Sequence, residues 1–177
     1  MTGERARNVD FDAVLALEVA AFYALEARLL DGERYPEWLE LLTADVHYWI
    51  PGVENRYRAD RTCSYSADHM AYFDDTLEDL RMRVARFQSG AAFAEDPPTR
   101  HVHVVSNVEV EATPDPQELV AHSVVIDYRN RGDQVGDTLY GRREDRLRRV
   151  DGNLLIARRR VVLAHSVLPS KNLNTFL

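Results

Sequence analysis

The chain has 177 residues, of which 45% are hydrophobic, and its 22 basic and 29 acidic side chains give a formal charge of −7. This length fits a single domain, residues 1–177, and the negative charge argues against a nucleic-acid-binding protein, whose binding surface should be basic. No apolar run approaches the ~18 residues of a membrane span and the first residues lack a secretory signal, so we expect a cytoplasmic protein without membrane contact.

The N-terminal part of the chain is predicted to be helical. Apolar residues recur at helical spacing over residues 11–30, with Asp10 as the expected N-cap and Gly32 just beyond the last turn. This apolar stripe is wide, which predicts a helix with a broad buried face. A short second helix should begin near Pro36, because proline is favoured in the first turn of a helix.

The periodicity then changes to that of a strand. Residues 45–50 are rich in β-branched and aromatic side chains, which favour a strand, and residues 53–68 are polar without a period, which predicts a loop. A third helix should begin at Asp74 or Asp75, since acidic residues suit the first turn of a helix.

The second half of the chain carries strand signals only. Four strands are predicted over 101–111, 119–129, 139–150 and 154–165, and Asp151-Gly152 is typical of a two-residue hairpin turn. Helices followed by an antiparallel meander indicate the α+β class, in which a curved sheet holds three helices in its concavity. We expect the buried residues to include Leu15, Phe22, Leu25, Val104, Val124, Ile126 and Val162.

Cysteine and histidine usage limits the metal chemistry of the chain. Cys63 is the only cysteine, which excludes an internal disulfide and an all-cysteine iron–sulfur site, and no Cys-x-His…Cys-x-x-His pair exists to hold a Rieske cluster. His101 and His103 lie two apart on a predicted strand, so both could reach one metal ion from the same face. Because Glu109 is poorly placed as a third ligand, hydrogen-bonded or partly exposed histidines are the favoured interpretation.

Four residues form a candidate acid/base set, namely Asp45, His47, Tyr48 and Asp127. Such groups in the mouth of a cone would suit a stand-alone dehydratase or isomerase. Strand alternation places Asp45 and His47 on one face and Tyr48 on the other, so at most part of the set can share a cavity. A ligand-binding or purely structural module is a third possibility.

Arginines crowd the predicted strand 139–150 on both of its faces. One face carries Arg142, Glu144, Arg146 and Arg148, and the other carries Arg143, Asp145 and Arg149. A strand that covers a core should carry such charges only if guanidinium groups pair with carboxylates across strands or across an interface. A wholly solvated face is the alternative, and a subunit interface rich in bidentate ion pairs is the preferred interpretation.

Several sequence blocks follow one another in the order and spacing of one known family. They are Phe22-Tyr23-x-x-Glu26-Ala27-x-Leu29-Leu30-Asp31, Tyr35-x-x-Trp38-Leu39-x-Leu41-Leu42, Asp45-Val46-x-Tyr48-Trp49-x-Pro51, Asp74-Asp75-Thr76, Pro97-Pro98-Thr99-Arg100, His103-Val104-Val105-Ser106-Asn107-Val108, Tyr140-Gly141-Arg142-Arg143-Glu144-Asp145-x-Leu147-Arg148-Arg149 and Asn172-Leu173. In these blocks the chain resembles the small (β) subunits of bacterial aromatic-ring-hydroxylating dioxygenases. The block Tyr128-Arg129-Asn130-Arg131 resembles their biphenyl, benzene and cumene branch, which implies a hydrocarbon substrate.

The resemblance implies a cone of the nuclear-transport-factor-2 or scytalone-dehydratase type without a cofactor of its own. Such β subunits form a trimer beneath three large (α) subunits, and each α subunit holds a Rieske [2Fe–2S] cluster and a mononuclear iron. The implied reaction converts an arene to a cis-dihydrodiol with O2 and electrons from NADH, delivered by a reductase and usually a ferredoxin. The candidate subunit-interface residues are Arg100, His103, Arg142, Arg143, Asp145, Arg148 and Arg149.

Two positions depart from the family pattern. Val102 stands where the family usually has a second arginine, and the chain ends in Phe176-Leu177 where a pair of phenylalanines is usual. Family membership is unaffected by these changes, but the interface residues cannot be transferred one by one.

Overall fold

The computed structural model describes residues 12–60, 62–66, 68–89, 97–132, 136–169 and 172–177. Its helices are α1 (Ala13–Asp31), α2 (Tyr35–Leu39) and α3 (Leu77–Gln88). Its strands are β1 (Leu42–Pro51), β2 (Ala71–Asp75), β3 (Arg100–Ala112), β4 (Glu118–Asn130), β5 (Asp137–Val150) and β6 (Asn153–Leu163). None of these helices is long and apolar enough to cross a membrane.

The six strands form one sheet in the order β2-β1-β6-β5-β4-β3. Strands β3 to β6 are the predicted antiparallel meander, while β1 joins β6 in parallel and β2 closes the other edge antiparallel to β1. Helix α1 packs on β3, α3 packs on β1 and β2, and α2 contacts both other helices. The α+β prediction, a curved sheet around three helices, is therefore confirmed.

Helix α1 buries a different face from the predicted one. Asp12 caps the helix by accepting hydrogen bonds from the main-chain nitrogens of Val14 and Leu15, whereas Asp10 lies outside the described residues. The buried face includes Tyr23 and Glu26, while Leu25 is 36% exposed. The predicted burial of Leu15, Phe22 and Leu25 is thus wrong for Leu25 and only partial for Leu15 and Phe22, because polar groups on this helix bind partners in the core.

The strand faces are also reversed relative to the prediction. Val104 is 48% exposed, and Val124, Ile126 and Val162 are only partly buried, since all four lie on the convex side of the sheet away from the helices. The buried positions of β4 are Leu119, Ala121, Ser123, Val125, Asp127 and Arg129. A strand with valines on one face and charged residues on the other does not reveal which face is inward when the charges are paired inside.

A β-bulge interrupts the alternation that the sequence predicts for β3. The register with β4 shifts between Ser106 and Glu109, and Asn107 adopts a left-handed conformation with a φ of 54°. Before the bulge the odd-numbered residues point inward, and after it the partly buried residues are Val108 and Val110. The bulge therefore turns the start of β3, with its two histidines, toward the interior.

The segment before α3 forms a strand in place of the predicted helical turn. Asp74 and Asp75 belong to β2, and the helix begins after Thr76. Thr76 and Asp79 make a reciprocal capping box, which satisfies main-chain donors at the helix start. The predicted loop is confirmed for the described residues between 53 and 68, which contain neither helix nor strand.

Candidate functional site

Four charged side chains meet inside the cone, and we call them the core charge cluster: Glu26, Arg143, Asp145 and Arg159. All four are at most 3% exposed. Arg159 donates to Glu26 Oε1 at 2.5 Å and Oε2 at 3.0 Å, and to Asp145 Oδ1 at 2.9 Å and Oδ2 at 2.7 Å. Two carboxylates and two guanidinium groups therefore balance each other in the interior.

Arg143 makes fewer and longer hydrogen bonds than Arg159 does. Its Nη1 donates to Glu26 Oε2 at 3.2 Å and its Nε to Ser123 Oγ at 3.2 Å, while the guanidinium lies 4.1 Å from the centre of the Tyr23 ring. Its Nη2 has no hydrogen-bond partner among the described residues. The Tyr23 hydroxyl donates to Asp145 Oδ2 at 2.9 Å, which ties α1 to the cluster.

The cluster changes the protonation of its members. Burial would raise the pKa of Glu26, but the charges of Arg159 and Arg143, with hydrogen bonds from Arg159 and Trp38, outweigh it and lower the pKa to about 2. Burial and the neighbouring Asp145 carboxylate raise the pKa of Tyr23 well above its usual value. Glu26 is therefore ionised and Tyr23 neutral at physiological pH, so the cluster is a structural ion-pair network with no free acid or base.

Acid should weaken the fold through Glu26. Its pKa is lowered from 4.5 to about 2 on folding, so its contribution to stability is complete above pH 4.5 and is lost as the pH falls towards 2. We expect the free energy of unfolding to decrease over this range in urea titrations followed by circular dichroism. A Glu26→Gln variant, less stable at neutral pH, should show a smaller decrease, and an equal decrease in both proteins would contradict this assignment.

The C-terminal segment 172–177 packs against the inner side of the sheet and the helices. The Tyr48 hydroxyl donates to the main-chain oxygen of Leu177 at 3.0 Å and accepts from its main-chain nitrogen at 2.7 Å. Phe176 packs against Trp38 with ring centres 4.4 Å apart, and Arg83 donates to the Thr175 oxygen at 2.9 Å. Thr175, Phe176 and Leu177 are thereby buried in the interior of the protein.

A second polar group, the histidine cluster, lies beside this segment and consists of His101, His103, Asp127 and Asp31. His101 Nδ1 is 3.1 Å from Asp127 Oδ1, and His103 Nε2 is 3.7 Å from the same oxygen. His103 Nδ1 is 2.7 Å from Asp31 Oδ1. The depression next to the two histidines, bordered by Leu30, Tyr35, Thr175 and Phe176, is too small to admit a substrate.

The predicted acid/base set does not converge. Asp45 is exposed and binds Arg148, and His47 lies partly exposed, 2.6 Å from Asp74. Tyr48 and Asp127 do point inward, but Tyr48 is bonded to Leu177 and Asp127 to Thr175 and His101. The described residues therefore contain no pocket in which these four groups could act together.

The interface candidates fall into three groups. Arg143, Asp145 and His103 are buried and bound to other residues of this chain, while their role at a subunit interface stays a prediction. Strand alternation alone could not show that these charged side chains point into the interior and bind partners there. Arg148 and Arg149 are part-exposed and paired within the chain, whereas Arg100 and Arg142 point outward.

The convex side of the sheet is apolar and basic, and we call it the outer sheet face. It includes Val102, Val104, Val124, Ile126, Tyr128, Tyr140, Arg142, Arg146, Arg158 and Val162, together with the ion pair of Glu144 and Arg160. Val102, Tyr128 and Tyr140 are between 45% and 52% exposed. Within the described residues, the Arg142 and Arg158 side chains bind no partner.

The core charge cluster was missed at the level of the sequence, although one signal was present. Glu26 lies three residues after Tyr23 and seven after Val19, which places it on the buried face of an amphipathic helix. A carboxylate on that face requires a buried cation. No comparable signal identifies Arg159, since it sits between two other arginines in the sequence.

Comparisons with known proteins point to one family. A model of the ring hydroxylating beta subunit family matches residues 25–170. The biphenyl 2,3-dioxygenase subunit beta of Rhodococcus jostii is 35% identical over 178 aligned positions, covering 99% of this chain and 95% of that protein. The benzene 1,2-dioxygenase subunit beta of Pseudomonas putida is 35% identical over 162 positions, covering 90% and 87%. A chain of naphthalene 1,2-dioxygenase, solved with indole in the active site, superposes with a TM-score of 0.85 at 28% identity, covering 94% of this chain and 87% of its own.

Proposed function

The chain belongs to the family of ring-hydroxylating dioxygenase β subunits, and we propose from this premise that its task is to assemble and support a separate catalytic α subunit. It is the non-catalytic subunit of a multicomponent aromatic-ring-hydroxylating dioxygenase.

The iron centres are assigned to the α subunit. One cysteine cannot supply the two thiolates of a Rieske cluster, so the cluster would lie in the partner. The mononuclear iron is assigned to the α subunit with it, as the family resemblance implies. The proposed assembly has three α and three β subunits with β–β contacts, and receives NADH-derived electrons through a reductase and a ferredoxin. The names of the relatives support an aromatic hydrocarbon such as biphenyl or benzene as the substrate.

The outer sheet face is the observation that carries the assembly role. Large exposed apolar residues on a sheet face are typical of a surface that is covered in a complex. Arg146 and Arg158 lie directly opposite each other on β5 and β6, and like charges in such a pair destabilise a sheet unless a nearby anion compensates them. Glu118 binds Arg146, but Arg158 has no partner among the described residues. A partner surface that supplies apolar contacts and carboxylates would satisfy both features.

The assembly role can be separated from single-chain catalysis with a Tyr48→Phe variant. This change removes a buried hydroxyl that bonds Leu177 twice, so we expect a loss of roughly 1–3 kcal/mol of stability. Turnover per iron centre should be unchanged once the variant is assembled with its α subunit. Tyr57→Phe, at a residue that is 92% exposed, is the matched control and should alter neither quantity.

The measurement compares arene dihydroxylation, normalised to Rieske absorbance, between wild-type and variant complexes supplied with reductase, ferredoxin, NADH and O2. The β chain alone should show no Rieske absorption. A dehydration or isomerisation catalysed by the isolated chain and abolished by Tyr48→Phe in a folded protein would instead establish a stand-alone cone enzyme.

A further inference from the structure

Asp127 is a fully buried carboxylate without an arginine or lysine partner among the described residues. Its side chain is 0% exposed, and the groups that contact it are His101, His103 and the Thr175 hydroxyl, which donates at 2.8 Å. Removing an ionised carboxylate from water is strongly unfavourable unless a cation lies close to it. An ionised Asp127 therefore requires a positive charge in the histidine cluster, which is either a proton on an imidazole or a metal ion.

The three side chains present their ligand atoms as a metal site does. One nitrogen from each of His101 and His103 and one oxygen from Asp127 all lie within 4.8 Å of one another. The two nitrogen–oxygen distances, 3.1 and 3.7 Å, lie on either side of the ~3.3 Å ligand separation of a tetrahedral zinc ion with bonds of about 2.0–2.1 Å. Small side-chain movements would bring these three ligand atoms to bonding distance of one ion.

Asp31 holds His103 in the orientation that metal binding requires. Its carboxylate accepts the main-chain N–H of His103 at 3.0 Å and lies 2.7 Å from Nδ1. On the other side of the ring, Nε2 faces the main-chain oxygen of Phe176 at 2.9 Å and Asp127 Oδ1 at 3.7 Å. A carboxylate behind a metal-binding histidine is a recurring arrangement that fixes the tautomer and strengthens the ligand.

We infer that His101, His103 and Asp127 form a binding site for one divalent zinc-type ion, separate from the iron centres of the α subunit. Two imidazoles and a carboxylate suit zinc, and the main-chain oxygen of Phe176, 2.9 Å from His103 Nε2, offers an additional oxygen beside the site. The ion would join β3, β4 and segment 172–177. Its role is structural, because the site is closed to substrate by that same segment.

The site could not be assigned from the sequence because its third ligand comes from another strand. Asp127 lies directly opposite His103 in the β3–β4 pairing, and His101 is its diagonal neighbour on the same face. Sequence spacing suggested Glu109 as the carboxylate to consider, but the bulge in β3 separates Glu109 from the histidines.

Metal content and zinc titration of the full-length chain test the inference. The purified chain is stripped with a chelator, titrated with ZnCl2 by calorimetry, and its metal content is measured after gel filtration. We expect one zinc ion per chain and a higher melting temperature with zinc, since a ligand that binds only the folded state stabilises it. Cobalt(II) in place of zinc should give the visible absorption of a low-symmetry site.

Variants distinguish this site from adventitious binding. His101→Gln and Asp127→Asn should lose stoichiometric zinc, and Asp31→Asn should weaken zinc binding by about 10–100-fold. His122→Ala, at a part-exposed histidine of β4 outside the cluster, is the control and should bind zinc as the wild type does. Circular dichroism verifies the fold of each variant. If Asp127→Asn does not fold, the loss of zinc is tested with His101→Gln alone.

Two results would overturn the inference. The wild type could bind no zinc at micromolar concentrations, which would leave the buried carboxylate balanced by a protonated histidine, or His101→Gln could bind as much zinc as the wild type. Neither result bears on the assembly role, because formation of the complex with the α subunit is measured separately.

Discussion

An Arg159→Met variant should lose about 3–5 kcal/mol of unfolding free energy, because it removes one partner of a buried ion-pair network. Arg159 binds Glu26 and Asp145 through four hydrogen bonds and is completely buried. Its removal leaves Arg143 as the only cation of the core charge cluster against two carboxylates. A loss of this size is a large part of the ~5–15 kcal/mol that stabilises a typical domain.

Urea denaturation at neutral pH, followed by circular dichroism, measures this loss. Arg143→Met should cost less than Arg159→Met, because its hydrogen bonds are longer and one of its nitrogens lacks a described partner. Arg149→Met, which removes a part-exposed pair with Glu18, is the control and should cost less than about 1 kcal/mol. If Arg159→Met were no more destabilising than Arg149→Met, the core charge cluster would not stabilise the fold as described.

Local sequence signals were sufficient to predict the elements and the fold class of this protein. The hairpin signal Asp151-Gly152 and the alternating strands gave the meander correctly, because turn chemistry and period are local properties. Strand β2 was missed, since its five residues lie next to a helix start and Asp74 and Asp75 resemble helix-capping residues. Short edge strands have little periodicity of their own.

The inward and outward faces of the sheet could not be predicted in the same way. Apolar character suggested that Val124 and Ile126 are buried, yet β4 turns Ser123, Asp127 and Arg129 inward. These polar residues are tolerated inside because partners on other elements satisfy them, such as Arg143 for Ser123 and Asp137 for Arg129. Such partners become visible only when the register of neighbouring strands is known.

The candidate sites could not be predicted in full for the same reason, because the register of neighbouring strands is not visible in the sequence. His101 and His103 were recognised as sharing a face, but their common partner Asp127 is 24 or more residues away and is brought in by the β3–β4 register. Arg143 and Asp145 were recognised as unusual strand residues, and their partners Glu26 and Arg159 lie on α1 and β6. In each case the residue type pointed to an unusual position, but the sequence did not identify the residue that binds there.

Charge reversal on the outer sheet face should prevent assembly without unfolding the chain. The double variant Arg142→Glu/Arg158→Glu replaces two outward arginines that bind no described partner, so the isolated β chain should keep its melting temperature within a few degrees. If the partner surface presents carboxylates, each reversal creates like-charge contacts, which cost several kcal/mol in an interface. We expect at least a tenfold weaker association with the α subunit.

Sedimentation velocity of co-expressed α and β subunits measures this association, and dihydroxylation should fall in proportion to the complex that is lost. Arg81→Glu reverses an exposed charge on α3, away from the outer sheet face, and should leave assembly intact. Arg143→Glu should behave differently from both, because a carboxylate beside Glu26 and Asp145 in the core prevents folding of the β chain itself. Wild-type assembly of the double variant would show that the outer sheet face is not where the subunits meet.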